Sequence, residues 1–412
     1  MREDTDSHMF IVQPNFRHLR MRLPPARAAR LPTLILLVGL RLSAAWALES
    51  CAIDGLAVNP ANGNTTAGRT GLMSCRDRDT GQMLREQQIQ DGVFMGAVRY
   101  FDKGRLAKEQ TVNARGNLEG RAREFGPNGV VLRDATYEDG AEVGLVRNFY
   151  PDGKLRRVTF YGDSRREGAS AEFTPRGQLS ALRCGEKAVL APLADDAVLC
   201  GFDNKPSQVE LFDDKGVLRQ RLSYLVGKRL RSEDLYDNGK PAAQVKVLGA
   251  QRIERRFSSE GVKRREEVSL IGDRGAVKQR EQEFSERGSL MHDQRWNANG
   301  DPLSDETYYL NGQPRSKASY GVGGNPLLIE VTEYYDNGQR AAIGRYLAAD
   351  RYRQQMPVGT HQRFSDKGLL IAESTYDDKG RVTRERRWDA DGKLERDDEV
   401  FEDGSRKALA RQ

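Results

Sequence analysis

Beyond residue 47 the chain holds only two histidines, His292 and His361, and four cysteines, Cys51, Cys75, Cys184 and Cys200. These residue types carry nucleophilic and metal-binding chemistry, and their spacing supports little of it. No His-x-Glu, His-Glu-x-x-His or Cys-x-x-Cys grouping is present, so the sequence assembles no zinc set. No Gly-x-Ser-x-Gly offers a nucleophile elbow. Gly321-Val-Gly-Gly324 does not open a helix and reads as a linker rather than a phosphate loop. Asp389-Ala-Asp391-Gly392 has the first spacing of a calcium loop without the later ligands, and coincides with a turn. Carboxylates are plentiful, but general acid–base work needs a cleft that drives two of them to different pKa values. The sequence therefore names no catalytic, cofactor-binding or metal residue. A hydrolase acting on envelope material is the weakest of three functional readings.

The cysteines point elsewhere. Their number is even, and proximity along the chain pairs Cys51 with Cys75 and Cys184 with Cys200 as disulfides. An oxidising compartment is the matching expectation. Residues 1–47 read as a secretory signal: Arg22, Arg27 and Arg30 precede an apolar run over 31–40, and Ala45-Trp46-Ala47 is an A-x-A cleavage site. Met21 would start a conventional signal. The expected location is periplasmic or secreted. Lipidation at Cys51 is the rival, and it would leave an odd number of cysteines.

The elements that position all these residues follow from a glycine on a fixed beat, four residues after an aromatic. The pairs include Phe125 and Gly129, Phe149 and Gly153, Phe173 and Gly177, Phe212 and Gly216, Tyr334 and Gly338, Phe364 and Gly368, Tyr376 and Gly380, and Trp388 and Gly392. The early glycines are 24 apart and the late ones 12 apart, so a twelve-residue unit repeats. Asn128-Gly129, Asp152-Gly153, Asn238-Gly239, Asn299-Gly300, Asn311-Gly312, Asn337-Gly338 and Asp391-Gly392 are turn dipeptides, read as two-residue hairpin turns with positive φ. Five to eight residues between turns make one strand each. The fold class is all-β: an elongated antiparallel hairpin meander. One aromatic per strand at constant phase would stack into a ladder and supply the core.

By this reading residues 48–86 cap the sheet edge, repeats fill 87–183 and 207–406, and 407–412 are a tail. The gap from Gly177 to Gly216 holds a stapled insert, 184–206, standing off the array. A smaller insertion covers 348–358.

These residues resemble the MORN-repeat variant of bacteria, in the group labelled YwqK-type antitoxin components. The family pattern is met by Tyr137, Gly140, Gly144, Phe149, Asp152, Gly153, Lys154 and Leu155, and again by Tyr334-Tyr-Asp-Asn-Gly338-Gln. The resemblance covers about residues 90–404, with degraded units at 224–290. It implies a hairpin array of MORN-like units that binds proteins or, in some relatives, lipid surfaces. Combined with export, it implies an immunity-type partner of a secreted toxin or effector.

The charge balance fits. The formal charge is +6, but seven arginines against three acids lie in residues 1–47, leaving the body near neutral and offering no case for nucleic acid. Arginine clusters remain: Arg165-Arg166, Arg229 and Arg231, Arg255-Arg256, Lys263-Arg264-Arg265, and Arg384 with Arg386-Arg387. They read as solvated strand faces balanced by Glu, or as a basic face for anionic headgroups or an acidic partner. The first expectation is a non-catalytic binder of a protein partner along an extended β-surface. The alternative is an envelope scaffold on anionic lipid. The partner-binding residues stay unassigned, with the stapled insert as the favoured place.

Overall fold

The structure is a computed structural model that describes residues 49–162, 166–348 and 355–411. The signal segment with its Met21 start, Arg165, most of the 348–358 insertion and Gln412 lie outside these residues. The chain divides into two units, Met1–Ala47 and Leu48–Gln412.

The second unit is almost wholly β. Among the described residues twelve strands, from Glu49–Ile53 to Leu179–Arg183, form one antiparallel sheet, and seventeen, from Val209–Phe212 to Arg406–Arg411, form another. From Gly71–Asp77 onward spatial order is sequence order within each sheet, as a meander requires. Residues 48–86 do not lie over an edge. Strand Glu49–Ile53 pairs with Leu56–Val58 on one side and Gly71–Asp77 on the other, so this segment is the end of the first sheet. Among the described residues the helical pieces are Asp196–Leu199 and the short turns Gly63–Thr65 and Val322–Gly324.

The beat glycines do sit at turns, but the turn type differs from the expectation. At Asp91-Gly92, Lys103-Gly104 and Asp139-Gly140 both residues have positive φ, as a two-residue turn requires. At Gly129, Gly153, Gly239, Gly300, Gly312, Gly338 and Gly392 only the glycine does; the Asn or Asp before it does not. There the glycine amide donates three residues back, as from Gly153 to the Tyr150 carbonyl at 2.9 Å, and Tyr150 pairs with Lys154. This is a three-residue loop: a type I turn followed by a left-handed glycine that makes a bulge. The Asx side chain is freed from supplying positive φ. It accepts the amide two residues on, as Asp152 does from Lys154 at 3.1 Å.

Hairpins alternate between two edges of each sheet. On one edge, holding turns 126–130, 150–154, 174–178 and, in the second sheet, 213–217, 236–240, 258–262, 309–313, 335–339 and 365–369, successive turns are bolted together. Tyr150 donates its hydroxyl to the Phe173 carbonyl, Tyr236 to Phe257, Tyr309 to Tyr334 and Tyr335 to Phe364, each at 2.8 Å. Asn128, Asn238, Asn311 and Asn337 donate Nδ2 to turn carbonyls of Pro151, Ser259, Asp336 and Asp366, at 2.7–3.1 Å. We call this the tyrosine edge.

Register places directly opposed residues on one face, and along the middle of that face runs a charge ladder. In the first sheet it passes Glu86, Arg99, Glu109, Arg123, Asp134 and Arg147, alternating in sign over six strands. In the second it passes Glu210, Arg221, Glu233, Gln244, Arg255 and Glu266, and later Glu373, Arg386 and Asp397. Opposite charges across strands stabilise a pair by ~0.2–1 kcal/mol and penalise a slip in register, which would oppose like charges. Glu233, Asp293, Glu373 and Asp397 are buried.

The aromatics depart from the expected stack. Phe125, Phe149, Phe173, Phe212, Tyr334, Phe364 and Trp388 share the ladder face but recur only on every second strand, about 9.5 Å apart. Tyr376, whose turn is on the other edge, lies on the opposite face. The ring contacts among described residues are of Tyr346 and Tyr376 with His361, not between these rings. Cations fill the gaps: Arg123 lies 5.6 Å from the Phe125 ring centroid, Arg340 5.8 Å from Phe364 and Arg386 5.9 Å from Trp388. The fully buried apolar side chains are instead small or aliphatic, such as Met73, Val98, Val146, Val158 and Leu190.

Nor does the insert stand off. Both predicted disulfides form, Cys51–Cys75 and Cys184–Cys200. Leu190, Ala194 and Cys200 are buried, and Leu190 and Ala194 pack with Val158, Ala169 and Ala171 of the first sheet. Cys184 and Leu199 pack against Val209, Leu211, Leu222 and Tyr224 of the second. Amides of Val226 and Gly227 donate to the carbonyls of Gly201 and Cys200, both at 2.9 Å. The insert joins the two sheets and carries much of the apolar core, because the single-layer sheets have little else to bury it against.

Candidate binding surface

The ladder face offers arginines that are largely committed. Asp134 accepts two bonds from Arg121, both at 2.8 Å, and one from Arg147 at 3.3 Å. The Arg121 hydrogen bond holds the Asp134 carboxyl below its usual range, against the effect of burial. Asp293, between Arg280 and Arg295, and Glu233, bonded by Gln244 and Arg221, are pushed up by burial, yet their partners outweigh it and both stay below the ordinary value. Most of the sequence's arginine clusters are paired the same way. Arg231 meets Glu233, Arg255 and Lys263 meet Glu266, Arg265 meets Glu267 and Glu281, Arg384 meets Asp397, and Arg386 meets Glu373. Arg229, Arg256 and Arg387 form no ion pair among the described residues.

The edge opposite the tyrosines differs. Three successive hairpins there expose aliphatic side chains, Val226, Leu248 and Ile271. Lys228, Arg229 and Arg274 beside them have no carboxylate partner among the described residues. Leu303 and Leu327 continue the exposed row at the next two turns of that edge.

The two histidines lie apart in the second sheet. His292 Nε2 is 2.6 Å from Asp305, whose hydrogen bond raises the imidazole pKa. His361 is flanked by Tyr346 and Tyr376, with centroids at 4.9 and 4.6 Å, and burial lowers its pKa. Its Nε2 is 2.7 Å from the Arg345 carbonyl oxygen and 3.1 Å from the Arg345 amide nitrogen, so that nitrogen faces main chain. Gly344 is required here: a Cβ would lie 2.7 Å from the ring. On the same face Glu333, between residues that give it no hydrogen bond, has its pKa raised by burial. This arrangement can hold an aromatic or polar group; it orients no nucleophile. An open concavity of about 670 Å³ lies elsewhere, lined by Thr136, Glu138, Leu145, Arg147 and Phe160.

Sequence reasoning put Tyr137, Gly140 and Gly144 in one unit; within it Tyr137 donates to Glu142 at 3.1 Å across the Asp139-Gly140 turn. It missed the tyrosine three residues before the glycine. The signal was present in Tyr150-Pro-Asp-Gly153, Tyr236-Asp-Asn-Gly239, Tyr309-Leu-Asn-Gly312 and Tyr335-Asp-Asn-Gly338, but in three of the four an aromatic one position earlier, Phe149, Tyr308 or Tyr334, masked it.

Residues 142–163 match the model described as MORN repeat variant. Among curated proteins none matches the chain. Solved structures that match include a Tc holotoxin pore of Photorhabdus luminescens (12% identity, TM-score 0.14, covering 81% of this chain and 23% of that one). Another is TcdB2-TccC3 (11% identity, TM-score 0.12, covering 84% and 25%). The chain spans about a quarter of those chains, and likeness this slight carries no argument. What the comparisons identify is a repeat similar to the MORN variant, on the hairpin that carries Gly144, Phe149 and Gly153.

Proposed function

We propose that this protein is a non-catalytic, exported binder that holds a protein partner along its β-surface, as an immunity or antitoxin component would hold a secreted toxin. The observation that carries the reading is the row of half-buried rings on the ladder face, with cations over Phe125, Phe364 and Trp388. Aromatic and arginine side chains are the types that dominate protein–protein hot spots. Presented on every second strand, they give wide contact area rather than a pocket. The disulfides suit an oxidising compartment. Residues 48–412, with disulfides intact, serve as bait against envelope and secreted proteins of the source organism in moderate salt. One stoichiometric partner whose activity the bait blocks supports the proposal; absence of any retained protein overturns it.

A second reading is favoured by a different observation. The exposed aliphatics Val226, Leu248 and Ile271, beside unpaired cations, suit an anionic lipid interface. Sedimentation with anionic vesicles that is lost in high salt supports this reading, and sedimentation equal with neutral vesicles removes it.

A further inference from the structure

Five hairpin turns carry Asn-Gly, at 128, 238, 299, 311 and 337. Asn-Gly is chemically labile because glycine leaves the following amide nitrogen unhindered. In the unfolded chain the five have the same following residue and so similar reactivity. The fold makes them unequal.

At four of them the Asn side chain is held at both ends. Oδ1 accepts the amide two residues on, from Val130, Lys240, Gln313 or Gln339, at 2.9–3.3 Å. Nδ2 donates to the next turn on the tyrosine edge. Asn299 has neither bond. Its turn lies on the opposite edge, and the amide it would accept, that of Asp301, is taken by Asn297 Oδ1 at 3.0 Å. Asn297 also takes the Asn299 amide at 2.8 Å and donates Nδ2 to Asp301 at 3.0 Å, so it closes the turn alone. Asn299 is exposed, and its side chain makes no hydrogen bond among the described residues. In all five turns the glycine amide donates to the carbonyl three residues back, so that bond does not separate them.

We infer that Asn299 is the deamidation site of the repeat array. The Gly300 amide nitrogen loses its proton and attacks Cγ of Asn299. The new C–N bond closes a succinimide, the Cγ–Nδ2 bond breaks, and ammonia leaves with the proton. Water then opens the ring at either carbonyl, giving aspartate or isoaspartate. Either product adds one negative charge beyond the strand Leu290–Trp296, and isoaspartate adds a methylene to the main chain of the turn. The other four must break two hydrogen bonds before Cγ can reach the nitrogen, and bonds of ordinary net strength correspond to roughly tenfold or more in rate. Asn62-Gly63 sits in a 3₁₀ turn of different geometry and does not belong to the array.

The test is peptide mapping by mass spectrometry of residues 48–412, folded and disulfide-bonded, aged in mildly alkaline buffer at 37 °C. A parallel sample is aged in denaturant. The expected result is conversion at Asn299 about tenfold or more ahead of Asn128, Asn238, Asn311 and Asn337 when folded, with the five rates drawing together in denaturant. Equal or faster conversion at any of those four in the folded protein overturns the inference. So does a folded Asn299 that resists conversion while the denatured chain reacts. A spread that persists in denaturant overturns it as well, since neighbouring sequence, not the fold, would then set the order. Asn311→Ala tests the competition from the other side, because the Asn299 rate should not move.

Discussion

Tyr335→Phe isolates one bolt of the tyrosine edge. The hydroxyl donates to the Phe364 carbonyl at 2.8 Å across two strands, and phenylalanine keeps the ring while deleting the donor. A neutral hydrogen bond in a half-buried place contributes a net ~0.5–1.5 kcal/mol, so about 1 kcal/mol is expected. Tyr150, Tyr236 and Tyr309 make the same bond at the same length, so the fourfold Tyr→Phe variant should lose about 4 kcal/mol if the sites add. Tyr309 and Tyr335 will depart most from additivity, because Tyr309 bonds the carbonyl of Tyr334. In a repeat array such a loss falls on the interface between neighbouring units. It should therefore appear locally before it appears globally. Urea unfolding gives the total, and native-state hydrogen exchange gives the place. Amides of turns 335–339 and 365–369 should exchange faster in Tyr335→Phe, with those of 126–154 unchanged. A fourfold variant within about 0.5 kcal/mol of the parent, with unaltered exchange on that edge, would mean that the four hydroxyls add no net stability and that the bolts are incidental.

Other contacts give further expected outcomes. Gly227→Ala places a Cβ 2.5 Å from the Gly185 carbonyl at a φ of +72°, so it should loosen the insert from the second sheet and cost ~2 kcal/mol or more in urea unfolding. Replacing Cys184 and Cys200 by serine opens a loop of separation 16, with an expected cost of about 3 kcal/mol, and limited proteolysis should cut first between the sheets. Asp134, Asp293, Glu233 and Asp397 have lowered pKa values, so their contribution is present above the unfolded value of about 4 and is lost as pH falls through the folded values. Asp134→Asn should therefore lower stability by ~1 kcal/mol at pH 7, the partners Arg121 and Arg147 being partly exposed, and flatten the acid limb of the unfolding curve. His292 has the opposite sign: its raised pKa gives a contribution complete below about 6.5 that fades as pH rises through the folded value, and His292→Gln should remove that dependence.

Much of this protein is legible in short stretches of its chain. Glycines at steps of 12 and 24, each after Asn, Asp or a polar residue, determine where hairpins close, since only glycine takes the left-handed bulge cheaply. Aromatic spacing and short alternating segments determine a β meander, and an even count of close cysteines determines both disulfides. These are local properties, with cause and effect within one turn or one loop. Whatever depends on register, or on residues two strands away, is decided only in three dimensions. The Glu86-to-Arg147 ladder is spread over six strands separated by turns of unequal length, so no window of sequence displays it. The Tyr150 and Asn128 bolts reach 23 residues ahead to carbonyls that every residue carries, and a main-chain acceptor leaves no mark in sequence. The insert between Cys184 and Cys200 broke the repeat and so read as peripheral. Only packing reveals it as the join, because Leu190 packs against strands of the first sheet and Leu199 against strands of the second.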